Sequence, residues 1–344
     1  MSVQSYLIIL FATFSLTVVL TLVIKNYLIS RSITVIPDQR SSHKKPKPQG
    51  GGISIVISLV ISLSVLFHLE LIARDQFLFF LIPGLIVAFI GLLDDFQGIK
   101  PSLRLFFHFI SAFLGLYLIG NFPDISLLGY QLELGLVGFF LGLIYIVWMV
   151  NLYNFMDGID GLASLEALFV LVSFSIISYL VLNDFSFSFI LLVISSTVLG
   201  FLVFNFPNSQ ILMGDVGSYF LGLIISLISI YTSLELPELF WSWLILLGIF
   251  LVDSTYTLIR RIFLKKKFHL PHSNHAYQKL ARVLSSHSKT SIYIFAINLF
   301  WLCPLAFLVA FNKIDGFLGT VVAYLPLIFL INYLEAGTRE KQEL

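Results

Sequence analysis

Apolar residues in this chain gather into runs of roughly 17 to 25, the length that crosses about 30 Å of hydrocarbon as a helix. Such runs recur from end to end, near 5–24, 52–69, 77–93, 105–121, 135–150, 162–182, 187–204, 217–234, 239–258, 291–311 and 316–334. The pattern predicts an all-α integral membrane protein with about 11 transmembrane helices. The first run is too long for the core of a signal peptide. It passes into Lys25 and Arg31 without a small-residue cleavage site, so it reads as a retained helix. No repeat of fixed period, low-complexity tract or separate soluble unit interrupts the series, and residues 1–344 read as one polytopic domain.

Composition agrees with the pattern. Only 11% of residues are charged, against about a quarter in soluble globular proteins. Of the 20 Lys and Arg residues, 18 fall in alternate loops on one side, and only Arg74 and Lys313 on the other. Because basic loops stay in the cytoplasm, the amino terminus is expected outside and the carboxyl terminus inside. Cys303 is the only cysteine, which leaves neither a disulfide nor a thiolate metal site. The net charge of +1 says nothing by itself, because the basic residues are confined to one face, and no nucleic-acid partner is expected. The basic face attracts anions locally, whether lipid head groups or nucleotides.

The polar residues that interrupt the apolar runs carry the chemistry. Asp94 and Asp95 end the third run, Asn151 to Asp160 follow the fifth, Asn205 and Asp215 follow the seventh, and His269, His272 and His275 follow the ninth. All four groups are expected on the cytoplasmic side, so residues scattered in sequence converge on one cleft. Taken alone, the Asp pair is explained equally well by a helix end meeting water, and Gly214–Gly217 by a capped turn. Asn151-Leu-Tyr-Asn154-Phe-Met-Asp157-Gly158-Ile-Asp160-Gly161 is harder to explain by packing, since carboxylates at the edge of hydrocarbon cost several kcal/mol unless paired, hydrated or holding a metal. Oxygen donors without cysteine favour a hard cation such as magnesium, which takes one or two carboxylates plus substrate phosphates. The reaction class this suggests is phosphoryl transfer at the membrane surface.

Leu93-Asp94-Asp95-Phe, then Asn151-x-x-Asn154-x-x-Asp157-Gly-Ile-Asp160-Gly-Leu, then Gly214-Asp215-Val-Gly217-Ser218 resemble, in that order, the signature loops of the MraY/WecA-like polyprenyl-phosphate N-acetylhexosamine-1-phosphate transferases. The resemblance covers about residues 36 to 282. It implies transfer of an N-acetylhexosamine 1-phosphate from a UDP-sugar to undecaprenyl phosphate with release of UMP, in a bacterial inner membrane, by an enzyme some of whose relatives are homodimers. The loops Arg40-Ser-Ser-His43-Lys-Lys-Pro46-Lys-Pro48-Gln-Gly50-Gly51-Gly52 and His272-Ser-Asn-His275-Ala-Tyr277-Gln278 resemble the WbpL-like branch that initiates O-antigen or capsular polysaccharide synthesis, with a WecA-like GlcNAc-1-phosphate transferase the alternative and the sugar left open among GlcNAc, FucNAc and QuiNAc.

Roles carried over from that resemblance are as follows. Asn154 and Asp215 would hold Mg2+, with Mn2+ an alternative. Asp157, Asp160 and Asn205 would lie around the uridine and the metal shell, with Lys44 or Lys47 nearby and Asn151 in the same loop. Asp94 and Asp95 would position the lipid phosphate, Asp94 being the family's proposed base or nucleophile, and Arg104 would bind a phosphate. His272 and His275 would contact the diphosphate or sugar. A phosphate monoester, whose second pKa is about 6, is already a competent nucleophile near neutral pH, so direct displacement is expected rather than a phospho-Asp94 intermediate. Asp253, inside the ninth run, reads equally as a member of the cleft or as a carboxylate paired with a base on a neighbouring helix. His108, one turn beyond Arg104, reads as a packing residue. The competing class, a transporter, would keep its charged site near mid-membrane on repeat-related broken helices, and neither feature is present in the sequence.

Overall fold

The computed structural model describes residues 2–34, 46–265 and 273–338; Lys44 and His272 of the expected site lie outside them. The apolar runs form helices, as they must where no water is present to satisfy backbone N–H and C=O groups. In order these are α1 (Val3–Ser30), α2 (Ile53–His68), α3 (Arg74–Gln97), α4 (Pro101–Ile119), α5 (Gly135–Met156), α6 (Leu162–Ile177), α7 (Phe185–Asn205), α8 (Gly214–Glu235), α9 (Glu238–Leu246), α10 (Gly248–Phe263), α11 (Ala276–Val283), α12 (His287–Ile297), α13 (Cys303–Ala310) and α14 (Gly316–Tyr333). One π-helical turn, Ser178–Leu182, prolongs α6, and another, Asn298–Leu302, joins α12 to α13. Helix ends follow local chemistry. Gly98, in the left-handed region at φ 64°, closes α3, Pro101 opens α4, and the side chains of Asp184, Ser286 and Asp315 cap α7, α12 and α14.

Among the described residues, nine helical segments are long and apolar enough to cross a membrane. Helices α9 and α10, bent by 75° at Leu247, make a tenth as a pair. The eleventh expected span is α2, whose 16 residues reach only about 24 Å at 1.5 Å per residue. It is apolar but shorter than the others, and it runs alongside them: it starts where Gly52 abuts Gly217 at the head of α8, and at its far end Phe67 stacks on Phe77 of α3 at 4.9 Å. On the face opposite the polar clusters, a hairpin of β1 (Ile125–Leu127) and β2 (Tyr130–Leu132) is pinned by Trp241 Nε1, which donates to the Ser126 carbonyl at 2.6 Å. Strands of three residues give too short an alternation to be seen in sequence.

Helix α8 is the axis of the bundle, with 94% of its apolar window buried. Its first turn is reached by backbone rather than side chains. A Cβ on Gly52 would lie 2.3 Å from Gly217 Cα, and one on Gly91 of α3 would lie 2.6 Å from Val216 Cα. These glycines let α2 and α3 close on the head of α8, which is where the site is built.

Candidate functional site

Because α8 begins inside the protein, its first N–H groups need acceptors other than water. Asp95, at the end of α3, supplies them. Its Oδ1 accepts the Asp215 N–H at 2.8 Å and its Oδ2 the Val216 N–H at 3.2 Å, while Gln49 Nε2 donates to Oδ1 at 2.6 Å. The negative carboxylate also faces the positive end of the α8 dipole. Gly214 adopts φ +80°, and a Cβ there would stand 2.5 Å from Asp95 Oδ2. The Gly-Asp pair at 214–215 thus turns the chain around the Asp95 carboxylate. Gln49 is held in register by the segment beside it, since Leu212 N–H donates to the Pro48 carbonyl and Gly51 N–H to the Leu212 carbonyl, each at 2.9 Å.

Asp215, freed of capping by Asp95, turns its side chain toward α5. Asn154 Nδ2 donates to Asp215 Oδ1 at 2.7 Å and to Ser218 Oγ at 3.0 Å. One turn on, the Tyr219 hydroxyl stands between two carboxylates, 3.1 Å from Asp94 Oδ2 and 3.4 Å from Asp215 Oδ2. Arg104 Nη1 donates to Asp94 Oδ2 at 2.6 Å and to the Tyr219 hydroxyl at 3.2 Å, and the Ile99 N–H donates to Asp94 Oδ1. The Arg104 side chain keeps 32% of its surface exposed against 6% for Asp94. The cation is therefore the accessible member of the pair.

Beyond α5 the chain turns sharply through residues 157–161. Gly161 at φ +75° packs on Phe206, whose ring would lie 2.5 Å from a Cβ. Asp160 Oδ1 lies 2.9 Å from Lys47 Nζ and 3.6 Å from His287 Nδ1 at the head of α12. Burial pushes the Asp160 carboxyl up, but His287 and Lys47 more than offset this and hold it below the ordinary carboxylate range. Among the described residues Asp157 has no such partner. Burial and the charges of Asp215, Asp95 and Asp160 push its carboxyl well above that range. A cleft of about 300 Å3 opens between these elements, lined by Asn154, Asp157, Gly158, Asp160, Asn205, Asp215, Gln278 and His287 among others.

Of the expected site residues, Asn154, Asp157, Asp160, Asn205 and Asp215 line this cleft. Lys47 is at its rim through Asp160, and Asp94 with Arg104 adjoins it through Tyr219. The others have different surroundings. Asn151 donates to the Val147 carbonyl at 2.7 Å and lies 3.4 Å from His108 Nδ1. His275 is buried with its Nδ1 3.4 Å from Asp253, rather than in the cleft wall. Asn205 lines the cleft but is itself buried, joining Ser164 at 3.1 Å to the Ile211 carbonyl at 3.1 Å. Sequence reasoning missed Gln49, Tyr219, Gln278 and His287. Of these only Gln278 carried a signal, lying three residues after His275 in a capping box at the start of α11.

Among the described residues no three His, Cys, Asp or Glu side chains converge tightly enough to coordinate one ion by themselves. The donor set nevertheless suits a hard cation. Asp157 and Asp215 share a cleft in which, among the described residues, neither is ion-paired, and the Asn154 amide adjoins. That leaves most of an octahedral shell for water and substrate phosphate, as magnesium is usually held.

The sequence profile of glycosyl transferase family 4 matches residues 77–233, which span Asp94 through Asp215. A probable undecaprenyl-phosphate N-acetylglucosaminyl 1-phosphate transferase of Bacillus subtilis (strain 168) is 29% identical over 287 residues, covering 81% of this chain and 78% of the relative. A phospho-N-acetylmuramoyl-pentapeptide-transferase of Streptococcus pyogenes serotype M12 (strain MGAS2096) is 31% identical over 239 residues, 64% of this chain and 68% of the relative. That of Streptococcus thermophilus (strain CNRZ 1066) is 30% identical over 230 residues, 62% and 65%. The chain thus spans about two thirds of the length of these pentapeptide transferases.

Proposed function

Because this chain belongs to glycosyl transferase family 4, we propose that it transfers N-acetylglucosamine 1-phosphate from its UDP derivative to undecaprenyl phosphate at the cytoplasmic face of a bacterial inner membrane. One observation carries the reading: a cleft lined by Asp157, Asp215 and Asn154 adjoins, through Tyr219, a partly exposed arginine paired with Asp94. Two anionic substrates need such an arrangement, one held by a cation in the cleft and the other by Arg104. The sugar follows the Bacillus relative, which matches 81% of the chain, more than the pentapeptide transferases do. The finer resemblance to an O-antigen-initiating branch gains no support from these relatives.

In this reading Asn154, Asp157 and Asp215 are the residues that would hold Mg2+. The ion, when bound, neutralises charge developing on the transferred phosphoryl group. Lys47, Asp160 and His287 close the cleft opposite. Arg104 takes the lipid phosphate, whose oxygen attacks the β-phosphorus. A phosphorus–oxygen bond forms to the lipid, the bridge to the α-phosphate breaks, and UMP leaves. Asp94 orients Arg104 and the Tyr219 hydroxyl. Asp95, with both oxygens engaged by α8, shapes the site rather than touching substrate.

The test is UMP release by detergent-purified protein given undecaprenyl phosphate, Mg2+ and a panel of UDP-sugars that includes UDP-N-acetylmuramoyl-pentapeptide. Release with UDP-N-acetylglucosamine that needs both lipid and metal, and is lost in Asp215→Ala, is the expected result. Turnover of the pentapeptide donor alone would replace the proposed substrate, and folded protein inactive across the panel would remove the reading.

A further inference from the structure

Asp253 sits inside the membrane-spanning α10 with 1% of its surface exposed. A carboxylate there costs several kcal/mol unless its oxygens are satisfied. Its neighbour one turn from the helix end, Arg260, points elsewhere and donates to Asn332 Oδ1 and the Ala336 carbonyl. Asp253 instead collects donors from a segment more than twenty residues later. Oδ1 accepts the Ala276 N–H at 2.9 Å and the Thr257 hydroxyl at 3.1 Å, and Oδ2 accepts the Tyr277 N–H at 3.0 Å. These are the first two amides of α11, a helix of only eight residues. Too short to be stable alone, α11 takes its position from what it is tied to.

What α11 carries explains why that position matters. The buried Tyr277 hydroxyl donates to the Phe155 carbonyl at 2.9 Å. It also lies where a side chain of Gly158 would be, with a Cβ there 2.1 Å away. Gln278, the next residue, accepts the His275 N–H through Oε1 at 3.2 Å and lines the cleft. A void of about 40 Å3 lies beside α11 among Ile249, Asp253, Tyr277, Leu280 and the apolar residues of α12 and α14. Ala276, Tyr277 and Ala281 are buried and Lys279 Nζ donates to the Glu335 carbonyl at 2.6 Å, so the carboxylate is the tie made at the leading amides rather than the sole one.

We propose that Asp253 is a positioning residue for the donor half of the site. It fixes α11 by its leading amides, so that Tyr277 props the 155–158 turn and, with it, Asp157 and Asp160. The functional part rests on the reading of the cleft as the sugar-nucleotide site; the mechanical part does not.

The experiment uses the whole protein in detergent and two readouts. In amide hydrogen exchange, Asp253→Ala should raise exchange in 274–283 and also in 155–160, with the other spans unchanged. Asp253→Asn, which keeps one acceptor oxygen, should fall between it and the wild type. Tyr277→Phe, which cuts only the second link, should raise exchange in 155–160 while 274–283 stays protected. In kinetics, Asp253→Ala should raise the KM for the UDP-sugar about tenfold and leave that for undecaprenyl phosphate unchanged. Exchange confined to 274–283, exchange raised throughout the bundle, or equal losses toward both substrates would overturn the proposal. A wild type that turns over no UDP-sugar would sink the functional reading alone, because the exchange pattern judges the strut independently.

Discussion

If Asp95 serves chiefly as the cap of α8, replacing it should cost stability in proportion to the acceptors lost. Asp95→Ala strands three donors in a partly buried site: the N–H groups of Asp215 and Val216 and the amide of Gln49. Loss of an N-cap costs about 1 kcal/mol, and hydrogen bonds to a charged acceptor are worth about 1.5 to 3 kcal/mol each but overlap in one side chain. A total of about 2 to 3 kcal/mol is reasonable. At about 2 °C per kcal/mol for a chain of this size, the melting temperature should fall about 4 to 6 °C. The substitution also removes a charge that pushes up Asp157, which offsets part of the loss. Asp95→Asn removes the same charge but keeps one acceptor oxygen, so the difference between the two variants isolates the hydrogen bonding. Asn should recover about 2 °C, read by thermal unfolding of the purified protein in detergent. Ala and Asn variants that both melt with the wild type, yet are both inactive, would mean that Asp95 acts on substrate and that the cap is incidental.

Three further outcomes follow from the same geometry. Gly52→Ala would place a Cβ 2.3 Å from the Gly217 backbone; overpacking against backbone should cost about 3 kcal/mol or more, seen as loss of monodisperse protein on size exclusion. The Asp160 carboxyl is depressed, so its contribution to stability is full above about pH 4, its unfolded-state value, and is lost as pH falls through the lower folded value. Lys47→Ala removes one cause of the depression and should flatten the acid limb of melting temperature against pH in metal-free protein. Arg104→Ala should raise the KM for undecaprenyl phosphate about tenfold and leave the UDP-sugar KM near wild type, whereas the reverse pattern in steady-state kinetics would exchange the two halves of the site.

Much of this was legible in the chain, for identifiable reasons. Span lengths and the confinement of basic residues to one side follow from the bilayer, so the helices and the shared face of Asp94, Asn154, Asp160 and Asp215 could be read locally. The density of Asx residues in Asn151–Gly161 marked the cleft because packing gives them no other purpose. What could not be read was which way each side chain points. Asp94 and Asp95 are adjacent and chemically identical, yet one meets Arg104 and the other caps a helix 120 residues on. His275 belonged to the expected set and His287 did not, although the structure turns the first toward Asp253 and the second into the cleft. Tyr219 and Tyr277 sit among apolar neighbours where a tyrosine reads as filler, and only the fold brings a carboxylate or a carbonyl to their hydroxyls. Asp253 stayed ambiguous because two of its partners are backbone amides, which no side-chain pattern announces, and a third is His275, more than twenty residues away in sequence.

The enclosure of α8 bears on how the protein is made. Most of its contacts come from α3 and α5, which precede it in the chain, although α9, which follows, also packs on it, and its cap is Asp95, synthesised some 120 residues earlier. In a chain carrying only the first seven spans, the faces of α3 and α5 that pack on α8 would border an unfilled position. Gly91, Gly52 and the Asp95 carboxylate face it without partners from the missing helix. Arrival of the eighth span closes the backbone contacts and neutralises the waiting acceptor in one event. The same event brings Asp215 beside Asn154, so insertion of one helix joins the two polar halves of the cleft, whose remaining wall, Gln278 and His287, follows with α11 and α12.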